Sequence, residues 1–257
     1  MHSARLILCA LAATVAPLTA GTDPIAATAK TDQWQFRTVP YLWLTASSGD
    51  LFFLERSEEI SQSFADTFDT HNLSLHLLAE ARKGPWIIQS DIIYGRFNND
   101  TQLLPHSHGP FKSVREDLKE WIISPRIGYS ILATPDHQLD LLAGVRYSRF
   151  RLGLTGRFTS GGQVTEETLQ NIWDPTLTVS GQSSLHDKLF IRYLGEVGGF
   201  GVNSDFIWLA GVGFGYQLSP TSSIIGGYRA RGIDFSDSDF AVDTVTHGPT
   251  LEFEMRF

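Results

Sequence analysis

The chain has 257 residues, with 20 Lys and Arg against 28 Asp and Glu and a formal net charge of −8. That balance offers nothing to a nucleic-acid backbone, and the length fits one barrel or one to two globular domains. Past the first residues there is no run of about 18 apolar residues, which excludes a helical membrane span but not a barrel, whose strands show lipid only alternate residues.

The chain opens with Arg5 and a short apolar run from Leu6 to Leu18. About 13 apolar residues are too few to cross a bilayer as a helix, and the pattern is that of a secretory signal. Cleavage is expected after Ala20 or after the small-x-small triplet Ala27-Thr28-Ala29, leaving 1–29 as signal and short leader and 30–257 as one domain. The single cysteine, Cys9, lies inside the signal, so the processed chain is expected to lack disulfides and thiolate metal sites.

Gln33 to Ala46 is the first expected strand, with Trp34, Phe36 and Thr38 in alternation. The alternation slips near Pro40, which points to a bulge, and Tyr41 and Trp43 are candidates for an aromatic belt. Leu51 to His71 is the longest connection and is acidic. Within it Ile60, Phe64 and Phe68 recur at helical spacing, so the segment predicts a short amphipathic helix, either on the surface or as a lid in the barrel mouth.

The following segments alternate with a period of two, the mark of a strand. Leu75, Leu77 and Ala79 stand against His76, Glu80 and Arg82; Trp86, Ile88, Ile92 and Tyr94 against Gln89 and Asp91. Trp121 to Ile131, Leu139 to Gly156, Thr168 to Ser184 and Leu189 to Phe200 repeat the pattern, with Arg126, Arg146, Asp174, Arg192 and Glu196 on the polar face. Phe206 to Leu218 alternates most cleanly, and Ser223 to Phe235 sets Ile224 and Tyr228 against Arg229 and Arg231. The last strand puts Leu251, Phe253, Met255 and Phe257 on one face and Glu252, Glu254 and Arg256 on the other. Connections are expected over 51–71, 83–85, 98–113, 133–137, 157–165, 185–188, 201–204, 219–222 and 236–243, long and short by turns, with 201–204 shorter than its place predicts. The fold class is therefore all-β: an antiparallel up-and-down transmembrane barrel of about ten strands, or eight or twelve if a pair is merged or missed.

Several stretches, taken in order, resemble a family of mostly uncharacterised Gram-negative outer-membrane barrels of the small OmpA-like or porin-like kind. They are Trp34-x-Phe36 before Pro40-Tyr41-Leu42-Trp43, Glu80-Ala81-Arg82-Lys83-Gly84, Asp91-Ile92-Ile93-Tyr94, Trp173-Asp174-Pro175, the long run Gly195 to Asp205, Gly227-Tyr228-Arg229, and Gly248-Pro249-Thr250-Leu251 before the terminal Phe257. Glu196 stands where the pattern has Asp, and Arg231-Gly232 where it has an aromatic-acidic run. The resemblance implies export to the outer membrane, contact with its lipid, and handling by periplasmic chaperones and the barrel assembly machinery, with Phe257 as part of the assembly signal. It brings no catalytic residues, so no enzyme activity is expected.

The polar face gathers Glu80, Arg82, Asp91, Arg126, Arg146, Asp174, Arg192, Glu196, Arg229, Arg231, Glu252, Glu254 and Arg256. Unpaired charges are costly in a narrow interior, so they are expected to pair or keep water. Paired, they fill a rigid barrel of structural or interaction role; hydrated, they line a narrow passive channel for small solutes, gated by the 51–71 loop. His76 is expected to join this network beside Glu80. His106-Ser107-His108 puts two imidazoles on one side of an extended chain with no third ligand, and Asp234, Asp237, Asp239 and Asp243 lack calcium-loop spacing. No cofactor, metal or nucleic-acid site is expected.

Overall fold

The computed structural model describes residues 32–53, 56–62, 73–102, 111–237 and 240–257. The signal-like segment, Phe64, Phe68, His71, His106, His108 and Asp239 lie outside them. Twelve strands form one antiparallel sheet: β1 Gln35–Trp43, β2 Ala46–Phe53, β3 Arg56–Gln62, β4 Leu73–Lys83, β5 Trp86–Gln102, β6 Phe111–Ala133, β7 His137–Phe158, β8 Gln163–His186, β9 Leu189–Gly199, β10 Phe206–Ser219, β11 Ser222–Ser236 and β12 Phe240–Arg256. The β1–β12 ladder closes the sheet.

The barrel has ten staves, as the alternation predicts. Both β1 and β2 pair with β12, through Trp43↔Thr250 and Ala46↔His247, so they share one stave. β3 lies beside β2 and β4 beside β1, so these two share the next. Both described termini and the tight turns at Gly84, Asp136, Asp187 and Thr221 gather at one end, the near end. The β7–β8 and β9–β10 connections gather at the other, the far end, with the opposite ends of β5, β6, β11 and β12.

Side-chain direction follows the period of two. On β10, Ile207 and Leu209 face in, at 0% and 3% exposed, while Phe206, Val212, Phe214, Tyr216 and Leu218 face out, Phe214 at 64%. Aromatic pairs edge this outer band: Trp86 on Tyr129 at 5.3 Å toward the near end, Tyr94 on Trp121 at 4.7 Å and Tyr147 on Trp173 at 4.4 Å toward the far end. From Trp86 to Tyr94, and from Trp121 to Tyr129, is about eight residues, or roughly 26 Å of strand. At a tilt of about 40° that gives a height near 20 Å, close to the apolar band of a membrane barrel.

Four local expectations are corrected. The register is unshifted across Pro40, which pairs with Leu77, so there is no bulge. The phase set by Phe36 therefore carries through, and Tyr41 and Trp43 point into the lumen, not into a belt. Segment 56–62 is not helical: Ile60 sits in β3 opposite Gly49, because a strand there satisfies the backbone groups along β2. Finally, the far ladders run longer than expected. β5 and β6 stay paired to Gln102↔Ser113, and β7 and β8 to Arg157↔Gln163, so the wall stands beyond the aromatic band.

Candidate functional site: the barrel lumen

Inward-facing side chains stack in tiers from the near end to the far end. The near end opens into a cavity of about 640 Å³. Part of its wall is hollow because β10 turns Gly211 inward, where a Cβ would meet nothing closer than 3.7 Å. The charged part of its wall is two linked groups. Arg82 donates to Glu80 at 2.5 Å and to Asp140 at 2.5 Å, and Arg37 donates to Glu80 at 2.7 Å. Arg37 also reaches Glu254 at 3.2 Å, where Arg192 and Arg256 converge on the same carboxylate. Glu254 is fully buried beneath its three arginines, and Glu252 stands 3.7 Å from Arg192.

Above the cavity lies a belt. Asp91 of β5 binds Arg229 of β11, and the Tyr41 hydroxyl of β1 donates to Asp91 at 2.9 Å while accepting from Arg229 at 2.7 Å. Glu196 of β9 takes Arg126 of β6 at 2.5 Å, Arg146 of β7, and the Thr178 hydroxyl of β8 at 2.7 Å. Gln89 ties the tiers together, donating to Glu80 at 2.9 Å and accepting from Arg126 at 3.2 Å. The Arg229 guanidinium also lies over the Tyr41 and Trp43 rings at 5.2 and 5.5 Å. Each of these carboxylates thus accepts two or more charge-assisted hydrogen bonds, the strong kind.

Farther out the lumen turns apolar. Arg231 grips both oxygens of Glu120 at 2.8 Å beneath Trp43. A cavity of about 120 Å³ follows, and beyond it Leu152 and Ile172 pack across the barrel against Phe235, Phe240 and Val242.

Twelve of the thirteen residues read from the sequence are thus ion-paired: nine in one connected network, Asp91 with Arg229, and Arg231 with Glu120. The exception is Asp174, which accepts from the Ser204 amide at 2.8 Å and its hydroxyl at 2.7 Å, fastening the β9–β10 turn. His76 does not join Glu80. It bonds Ser74 at 2.6 Å and stacks on Tyr41 at 4.8 Å, because Arg37, Arg82 and Gln89 already surround Glu80. Sequence reasoning missed Arg37, Glu120 and Asp140. Each lies in phase with a buried residue of its own strand, two residues from Val39, Ile122 and Leu142 respectively. Among the described residues no group of three or more His, Cys, Asp or Glu is placed to hold a metal.

No protein-family model matches this sequence, and no curated protein matches it. Among solved structures, the outer membrane protease OmpT of Escherichia coli is similar with a TM-score of 0.57, at 11% identity, over 88% of this chain and 98% of that one. The Neisserial surface protein A (NspA) gives a TM-score of 0.36 at 11% identity, over 87% of this chain and 97% of that one. Ail of Yersinia pestis gives 0.36 at 10% identity, over 87% and 98%. The OmpT likeness establishes a fold: this chain is a closed, all-β barrel of the outer-membrane kind. At that identity it carries no activity across, and the two looser likenesses add nothing to it.

Proposed function

We propose that the protein is an integral outer-membrane barrel with a structural or interaction role, its lumen sealed by paired charges, and that it catalyses no reaction. The near end would face the periplasm and the far end the outside, as even-stranded barrels with short near-side turns are oriented. The outward apolar band between two aromatic edges supports residence in lipid. The observation that carries the sealed reading is the belt. Its two clusters draw on six staves, through Tyr41, Asp91, Arg126, Arg146, Glu196 and Arg229, at one level of a barrel only slightly wider than the eight-stranded ones that side chains fill. The apolar cluster of Leu152, Ile172, Phe235, Phe240 and Val242 adds a second closure.

The rival is a narrow passive channel for small solutes. The near cavity favours it, since 640 Å³ of open lumen ends against the belt alone. Conductance in a planar bilayer decides between the two: silence supports the sealed barrel, and steady discrete openings support the channel. Export through the N-terminal signal, handling by periplasmic chaperones and recognition of Phe257 by the assembly machinery belong to the same reading. Phe257 is exposed, and its backbone pairs with Phe36 at the closing seam at 2.9 and 3.2 Å. Replacing Phe257 with Asp is expected to cut the folded barrel recovered from outer membranes several-fold; normal amounts would count against an assembly role.

A further inference from the structure

On β8 the ladder to β9 stops at Thr176↔Gly198, while the ladder to β7 continues to Arg157↔Gln163. Beyond Pro175 the strand therefore has a neighbour on one side only among the described residues. The first group on the open side is the Trp173 amide, which donates to Asn203 Oδ1 at 3.0 Å in place of a strand carbonyl. Backbone direction repeats every second residue. The amides and carbonyls of Gln163, Thr165, Glu167, Leu169 and Asn171 therefore face the same open side, and those between them face β7.

Natural sheets blunt such edges with proline, bulges, inward charges or shortness. Here the β7–β8 register is unshifted along the whole edge, and the only proline stands at its base. We propose that the far edge of β8 binds an extended segment of a partner polypeptide, added antiparallel to β8 in line with β9. This rests on the sealed-barrel reading and names the kind of partner it serves.

The borders of the edge state the chemistry of that segment. Its base is apolar: Trp173 and Leu169 on β8, then Phe200 and Val202 of the β9–β10 turn, exposed by 54% and 62%. The turn is built to hold them there. Gly199, Phe200 and Gly201 all have positive φ, at 87°, 53° and 71°, and Ser204 and Asn203 clamp the loop onto β8. A residue with a Cβ rarely adopts that conformation, so the outward ring of Phe200 is held by the surrounding bonds and not by local preference. Between base and tip β8 itself is acidic: Glu166 and Glu167 are exposed and have no ion-pair partner among the described residues, while Arg151 and Arg157 stand on β7, opposite Leu169 and Gln163 and one strand farther from the open side. An antiparallel segment thus enters beside the membrane with apolar side chains and ends beside these glutamates with Lys or Arg. A second copy of this chain does not suit the edge, because two barrels upright in one membrane both run β8 inward and cannot pair it antiparallel.

The test uses the full barrel in detergent and a synthetic peptide of about nine residues, alternating valine and threonine and ending in two lysines. Hydrogen exchange of the free protein should show fast amides at Thr165, Glu167 and Leu169 and slow ones at Glu166, Thr168 and Gln170. The peptide should slow the fast set. Glu167→Pro, which removes an outward amide and leaves the β7 ladder, should weaken binding by about tenfold relative to Glu167→Ala. A peptide with its lysines replaced by glutamates should bind more weakly than the original. Equal binding to the Pro and Ala variants, no protection, or outward amides already slow in the free protein would overturn the proposal. So would dimers whose outward amides are slow, which would make the edge a self-contact. A conducting barrel that still binds the peptide would sink the sealed reading and leave the edge standing.

Discussion

Glu196 is the residue on which the interior depends most visibly. It is fully buried and answers two arginines from two other strands. Replacing it with Gln leaves Arg126 and Arg146 buried with no counter-charge, and losing one partner of a buried pair costs about 3–5 kcal/mol. Glu252→Gln is the contrast. Its side chain is 23% exposed and 3.7 Å from Arg192, and a pair so placed contributes at most about 1 kcal/mol. Urea unfolding in lipid vesicles should therefore separate the two variants by more than about 2 kcal/mol; equal losses would mean that the belt is hydrated and contributes little. Most of this network was legible from alternation alone, since a charge in phase with lumen residues has nowhere else to point. Asp174 was not distinguishable from them, because its partners lie in a turn whose course depends on three consecutive positive φ angles.

At the scale of elements, the strands were readable wherever large apolar residues marked one face, as on β10. They were not where both faces are polar. β3 reads Arg-Ser-Glu-Glu-Ile-Ser-Gln, which has no period of two in hydrophobicity, and only its pairing to β2 makes it a strand. The far halves of β6 to β8 differ: their inner face stays apolar through Leu118, Phe150, Leu152 and Ile172, but above the aromatic band the outer face loses most of its apolar residues, so the lipid signal ends before the strand does. The β2–β3 ladder raises the wall at one side of the mouth, and the belt clusters are built from other strands. Deleting Ser57 to Thr70 is accordingly expected to leave the barrel folded, through the intact β1–β4 and β1–β12 ladders, and to open no conductance. Openings that appear only in the deletion would restore a gating role to this segment.

At the scale of the whole molecule, the barrel is asymmetric along its axis. Its near end is hollow where Gly211 faces the lumen, its middle is crossed by ion pairs, and its far end is closed by an apolar cluster. The wall is uneven too, tall along β5 to β8 and low at β9 and β10, which leaves the far edge of β8 without a second neighbouring strand among the described residues. On the sealed-barrel proposal, such an interior beside an unpaired outer edge would suit a scaffold that meets other chains.

The measurement that tests this most directly is the conductance of the purified, refolded barrel in a planar lipid bilayer, beside the Glu196→Gln variant. The sealed lumen predicts silence from the intact protein at all moderate voltages, with noisy or transient openings confined to the variant whose belt is broken. Steady, discrete openings of the intact barrel would contradict it.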